Sequence, residues 1–371
     1  MYPVLSGQNI YSKFKPESKS SDLRVSAERH ERDLQVVSNR LQPASTQPKQ
    51  RLDNEIGVEM ETNSILSAIW ETVVLLALVA YSWAHAIFIS CLPTSWIAKD
   101  VRGEIALITG AGSGLGRGVA LRLAKLGCNL VLWDIDETSN QATGDETRKL
   151  GVRAHTYKVD LCNREEIYKV AAKVKSDVGR VDILINNAGI VTGRDYMKCP
   201  DSLIQKTMEV NIMAHFWTVK AFLPGMMERN HGHVVTIASS AGYFGVRSLS
   251  DYNASKFAAV GFDESLRYEL NQEGTDGINT TVVAPYFINT GMFDGVKLKF
   301  QKLLPMVEPD YACDRIVDAI LRNQQVLMFP RTLYFMLALK GFLPCETQTL
   351  LNKACGLMNT MDDFKGRAKK E

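Results

Sequence analysis

From Val101 onward, short apolar runs rich in β-branched residues alternate with amphipathic stretches of helical period, and that alternation leaves few folds open. Runs at Ile105–Thr109, Leu130–Asp134, Ala154–Val159, Ile183–Asn186, Val234–Ile237, Thr280–Ala284 and Val326–Phe329 predict about seven strands. They are mostly continuous rather than alternating in polarity, so both faces of their sheet must be covered. Amphipathic stretches such as Leu115–Leu126, and the one ending at Leu150, supply that cover. The rhythm predicts an α/β, Rossmann-like, doubly wound parallel sheet.

The first of these runs leads straight into Thr109-Gly110-Ala111-Gly112-Ser113-Gly114-Leu115-Gly116, which opens a helix. Glycines at that turn let backbone N–H groups approach a pyrophosphate at the helix N-terminus. Asp134 ends the next strand, where a carboxylate accepts hydrogen bonds from a ribose 2′-hydroxyl and repels a 2′-phosphate. Ser113 brings no compensating positive charge, so NAD is the predicted cofactor and NADP is disfavoured. Arg117 is the one nearby cation, and its place on the helix past the last glycine predicts solvent exposure.

Tyr252 and Lys256 are four residues apart on a helical stretch, so both project from one face. A phenol ionises near pH 10, and an adjacent ammonium favours the phenolate. That pairing predicts a residue able to take a proton from an alcohol in oxidation and return it in reduction.

The glycine pattern, Asn186-Asn187-Ala188-Gly189, Ser239 and Tyr252-Asn253-Ala254-Ser255-Lys256 stand in the order and at the separations that resemble the short-chain dehydrogenase/reductase family, over about residues 101 to 330. The resemblance implies catalytic roles for Asn211, Ser239, Tyr252 and Lys256: Ser239 hydrogen-bonds the substrate oxygen, with Ser240 as its neighbour and alternative, and Asn211 holds a water linking the lysine to solvent. It also implies cofactor contacts from Gly110, Gly112, Ser113, Gly114, Leu115, Gly116 and Asp134, from Asp160 and Leu161 beside the adenine, from Asn187, Ala188 and Gly189, and from Tyr252 and Lys256. Pro285, Ile288 and Thr290 match the loop that receives the carboxamide, although Tyr286 stands where the family often has glycine and leaves that loop's path open. A homodimer is implied as well. Val131–Ile135 and Pro285–Phe293 resemble the branch of retinol dehydrogenases and lipid-droplet 17β-hydroxysteroid dehydrogenases, which implies a lipophilic alcohol met at the endoplasmic reticulum membrane or a lipid droplet.

Residues 1–62 are polar and lack an apolar period, which predicts a disordered tail and no secretory signal peptide. Residues 63–98 contain Thr72–Leu92, uncharged and about 20 residues long, which predicts a membrane anchor, with a buried soluble helix as the alternative. His85 and Trp83 at mid-segment favour a shallow or re-entrant insertion. The catalytic domain, 99–330, is expected to face the cytosol, in keeping with seven widely spaced cysteines without a C-x-x-C pair and with sequons at Asn253 and Asn279 that fall within a helix and a strand. For 331–371, a second membrane contact and an edge packing on the sheet both remain open.

The net charge of +2, from 43 basic and 41 acidic residues, points away from nucleic acid. No metal site is expected, since His231 and His233 alone make no ligand set and are read as a solvated turn. The leading reading is NAD-dependent oxidation of a membrane-dissolved alcohol such as retinol, with Phe287, Met292, Phe293 and Phe300 at the entrance. Steroid or long-chain acyl substrates, an NADP-dependent reductase and a non-catalytic lipid-surface scaffold are the alternatives.

Overall fold

The computed structural model describes residues 65–366. The tail at 1–62 and the basic residues Arg367, Lys369 and Lys370 lie outside them. Helix α1 (Ile65–Cys91) is unbroken through Trp83 and His85, and its stretch Ala68–Cys91 is long and apolar enough to cross a membrane. A separate compact unit begins at Ile89. It opens on the short helix α2 (Thr94–Ile97), where Arg322 donates to the carbonyls of Ile89 and Leu92 and Thr94 hydrogen-bonds Asp318.

Seven parallel strands form one sheet: β1 (Ile105–Thr109), β2 (Asn129–Asp134), β3 (Ala154–Lys158), β4 (Ile183–Asn186), β5 (Gly232–Ile237), β6 (Ile278–Pro285) and β7 (Val326–Phe329). Their order, β3-β2-β1-β4-β5-β6-β7, reverses direction at β1, as a doubly wound sheet does. The helices between them are α3 (Gly114–Lys125), α4 (Glu137–Lys149), α5 (Arg164–Asp177), α6 (Asp201–Met208), α7 (Ala214–Glu228), α8 (Ser250–Gln272) and α9 (Pro309–Leu321). Strand β1 shows why its sequence carries no alternation. Ala106 and Ile108 enter the core on the side of α3 and α9, while Ile105 and Leu107 enter the one on the side of α5 and α7, and all four are buried.

The last strand is followed by α10 (Thr332–Phe342) and α11 (Cys345–Ala354), which belong to the same compact unit as the sheet. Of the two readings left open for 331–371, packing on the sheet edge accounts for Leu333, which is buried in the core beside Phe329. Phe335 and Phe342 of α10 remain exposed.

The reading of the histidine pair needs correction at one residue. His231 is exposed and meets Glu104 at 3.1 Å, but His233 is buried between Lys99 Nζ at 2.9 Å and Thr281 Oγ1 at 2.8 Å. Gly232 already belongs to β5, so the side chains alternate and His233 points inward with Val235.

Asp263 of α8 faces the sheet, buried, with Thr280 Oγ1 donating to it at 3.4 Å and Arg267 at 3.6 Å. Burial pushes its carboxyl up to about 6, against the pull of Arg267. A raised carboxyl binds its proton more tightly in the folded chain, so the stability it contributes is present below about pH 4 and lost as pH rises through 6. Asp263→Asn removes that titration. Relative to wild type, the variant is expected to gain about 2 kcal/mol between pH 4 and pH 7.5. Urea unfolding of both proteins at the two pH values checks this, and a pH-independent difference refutes it.

Candidate active site

Because all strands are parallel, the loops leaving their carboxyl ends gather along one edge. They enclose a cleft of about 330 Å³. Gly110, Ser113, Gly114 and Leu115 come from the turn into α3, Asp134 from the end of β2, and Asp160 and Leu161 from the loop after β3. Asn187, Ala188 and Gly189 follow β4, Ser239 follows β5, Tyr252 and Lys256 reach in from α8, and Pro285, Ile288 and Thr290 follow β6. Segments far apart in sequence thus converge on one wall.

Three of the expected contacts are not on that wall. Gly112 packs beneath Asp134, where an added methyl would lie 3.0 Å from the carboxylate. Gly116 lets α3 cross the turn, since a methyl there would collide with the Gly110 carbonyl oxygen and lie 2.6 Å from Asn187 Nδ2. Asn211 sits in a π-helical turn, Glu209–Met213, between α6 and α7. It accepts from Ile190 N at 2.8 Å and donates to Ile190 O at 2.9 Å and Ser255 Oγ at 3.0 Å, clamping the loop after β4 onto α8.

The turn after β1 is also tied down from β4. Asn187 Nδ2 donates to the carbonyls of Thr109 at 2.8 Å and Gly110 at 3.2 Å, and Thr109 Oγ1 accepts from Asn187 N and Ala188 N. The carboxylate of Asp134 is oriented by Gly112 N at 2.8 Å and Asp136 N at 2.9 Å, each carboxylate oxygen taking one bond. Its remaining lone pairs are free to accept from a diol at the cleft. Arg117 does not approach it, being paired with Glu146 of α4 in solvent. A wall with a glycine turn at a helix N-terminus, an oriented carboxylate one strand away and a lysine beyond fits a dinucleotide.

Tyr252 and Lys256 are both buried on one face of α8. Lys256 Nζ donates to the Ile237 carbonyl at 2.8 Å and lies 5.7 Å from the centre of the Tyr252 ring. The expected lowering of the phenol is not what the chain alone produces. Burial pushes Tyr252 up to about 12, opposed only by its hydrogen bond with Ser239, and burial lowers Lys256 to about 8. The chain by itself therefore holds the phenol protonated at neutral pH.

Ser239 Oγ accepts from Ala241 N at 3.1 Å, which fixes the hydroxyl toward Tyr252. Ser240 instead lines a neighbouring cavity. Where Tyr286 replaces the family's glycine, its N–H donates to Phe329 O at 2.9 Å, so the loop is pinned to the end of β7. Its ring lies between cleft and cavity. Sequence reasoning missed Ile135, Lys206 and Val210 on the cleft wall. Lys206 and Val210 are four apart along one helical face, a spacing that carried the signal.

The sequence model of the short chain dehydrogenase family matches residues 104–299, more than half the chain. This protein is a short-chain dehydrogenase. Epidermal retinol dehydrogenase 2 of Mus musculus is 52% identical over 273 residues, covering 73% of this chain and 88% of its own. The Homo sapiens protein of the same name is 50% identical, covering 78% and 94%. A short chain dehydrogenase/reductase of Burkholderia phymatum solved with NAD superposes with a TM-score of 0.60 at 26% identity, over 68% of this chain and 96% of that one. A metagenomic short-chain oxidoreductase solved with NADP gives 0.52 at 28%, over 62% and 96%. Members of the family therefore use either nucleotide, and this short-chain dehydrogenase is an alcohol dehydrogenase of the family's type.

Proposed function

We propose that this enzyme oxidises a membrane-dissolved lipophilic alcohol, with all-trans-retinol to retinal as the leading reaction and NAD as the hydride acceptor. One observation carries the reading: an apolar cavity of about 580 Å³ opens beside the cleft. The two share Ser239, Tyr286 and Phe293. Phe287, Phe300, Leu304 and Met336 line the cavity, whereas Met292 faces the nucleotide cleft. An alcohol whose hydroxyl reaches Ser239 thus buries its hydrocarbon among aromatic and aliphatic side chains. The names of the relatives agree with that substrate.

The glycine turn, Asp134, Asn187–Gly189 and the loop Pro285–Thr290 are the residues that hold the dinucleotide. When bound, the oxidised nicotinamide would supply the hydride acceptor and a positive charge that, with Lys256, would favour the phenolate over the phenol. In oxidation Tyr252 takes the hydroxyl proton of the alcohol, Ser239 holds the same oxygen, and Lys256 stabilises the phenolate by its charge. In reduction the protonated phenol, the form burial favours, donates its proton to the carbonyl oxygen. Asn211 acts by keeping α8 and the loop after β4 in register.

Assay of the enzyme in membranes with retinol, steroid and fatty-alcohol panels and both nucleotides tests the reading. The highest kcat/KM is expected with all-trans-retinol and NAD, and faster turnover of either other class overturns the substrate assignment. For the cofactor, Asp134→Asn is expected to narrow the preference for NADH over NADPH about tenfold, by removing the repulsion of the 2′-phosphate. Fluorescence titration of both nucleotides measures this; an unchanged ratio defeats the choice of NAD.

In this reading the enzyme works at the endoplasmic reticulum membrane or a lipid droplet with its catalytic unit in the cytosol, and the length and apolar character of α1 support the membrane attachment. Asn253 supports that side of the membrane. Its Nδ2 donates to Ala241 O at 2.8 Å and Phe244 O at 2.6 Å, leaving no room for a glycan.

A further inference from the structure

Phe293 stands at the boundary of the nucleotide cleft and the apolar cavity, lining both. Its ring meets Tyr252 edge-on at 5.9 Å and Phe287 at 5.0 Å. The loop carrying it has little regular structure, since Thr290–Gly295 is a succession of turns between a bridge at Ile288 and the irregular segment ahead of α9. Something else must hold the ring in place.

What holds it is a segment that follows α11. Lys365 N donates to Asp294 O at 2.9 Å and Lys297 N donates to Thr360 O at 3.2 Å, so residues 360–365 run as a strap along the loop. Side chains reinforce it: Lys297 meets Asp363 at 2.5 Å, and Arg247, from the loop ahead of α8, meets Asp362 at 2.9 Å. Gly295 permits the closeness, because a methyl there would collide with the Asp363 carbonyl. The strap delivers one ring into the site. Phe364 packs against Phe293 at 6.4 Å and seats on Gly193, where a methyl would strike its ring edge.

We infer that Phe364 is a positioning residue for the alcohol: it presses Phe293 against Tyr252 and Phe287 and so sets the wall that seats the substrate carbon beside the phenol. The inference rests on the proposed use of the apolar cavity. Phe364 does not itself line the nucleotide cleft.

The test uses the full chain in detergent with all-trans-retinol. Phe364→Ala is expected to raise KM about tenfold, the loss of an aromatic contact on each side of a moved ring, with kcat changed less and the dissociation constant for NADH unchanged. Phe364→Tyr keeps the ring and is expected to restore the wild-type KM. Gly193→Ala displaces the same ring from beneath without altering Phe364 and is expected to raise KM likewise, which covers the case in which Phe364→Ala fails to fold. A KM within twofold of wild type in both Phe364→Ala and Gly193→Ala overturns the inference. So does a parallel loss of NADH binding, or a defect that Tyr does not rescue, either of which marks a structural role only. If the wild type turns over steroid or fatty alcohols instead of retinol, the substrate reading fails, and the same variants measured on that alcohol still decide the role of Phe364.

Discussion

Tyr252→Phe is expected to lower kcat about a thousandfold while binding NADH as tightly as the wild type. The substitution removes one oxygen from a buried ring and leaves the edge contact with Phe293 in place. What disappears is the phenol that shares a face of α8 with Lys256, and Ser239 cannot substitute, because an aliphatic hydroxyl is far less acidic than a phenol. Most of the residues proposed to hold the dinucleotide, on the glycine turn, Asp134, Asn187–Gly189 and the loop Pro285–Thr290, are untouched by the change, and the ring of Tyr252 stays in the cleft wall. Turnover within tenfold of wild type, with folding intact, would refute the assignment of proton transfer to this residue.

Gly116→Ala is expected to weaken NADH binding about a hundredfold and to lower stability by about 2 to 3 kcal/mol. The added methyl runs into the Gly110 carbonyl, a backbone atom that moves only if the turn after β1 moves with it. That turn is stitched to β4 through Asn187, so the displacement spreads to Asn187 and Ala188 on the cleft wall. Gly114→Ala is the control, because nothing lies closer than Thr290 at 3.9 Å and only its backbone angle, φ +55°, resists the change. Titration of NADH fluorescence and thermal unfolding of the two variants separate the cases. Equal effects would mean that backbone strain, and not the crossing of α3 over the turn, is what the glycines relieve.

Most of the sheet was legible because strands such as β1, β4 and β5 are buried on both faces, so each left an apolar run that periodicity alone detects. Tyr252, Lys256 and Asp134 were legible because helix spacing and strand ends are local properties. What failed to show depends on tertiary surroundings. The ammonium of Lys256 looked set to lower the phenol, but its hydrogen bond runs to Ile237, and burial decides the direction. Asn211 matched a family position by motif, and its side-chain bonds to Ile190 and Ser255 could not be read from that match. Phe364 offered no signal at all, since a single aromatic near a chain end acquires meaning only from the loop it lies on. His233 is the instructive case, for the two-residue period of β5 that hides it was readable beside Gly232.

The strap that closes over Asp294 follows the sheet, the glycine turn and the tyrosine in sequence. A proteolytic nick between α11 and Thr360 would sever the strap from the sheet without cutting any segment of the nucleotide cleft. A nicked enzyme is thus expected to keep its dinucleotide while its grip on the alcohol slackens.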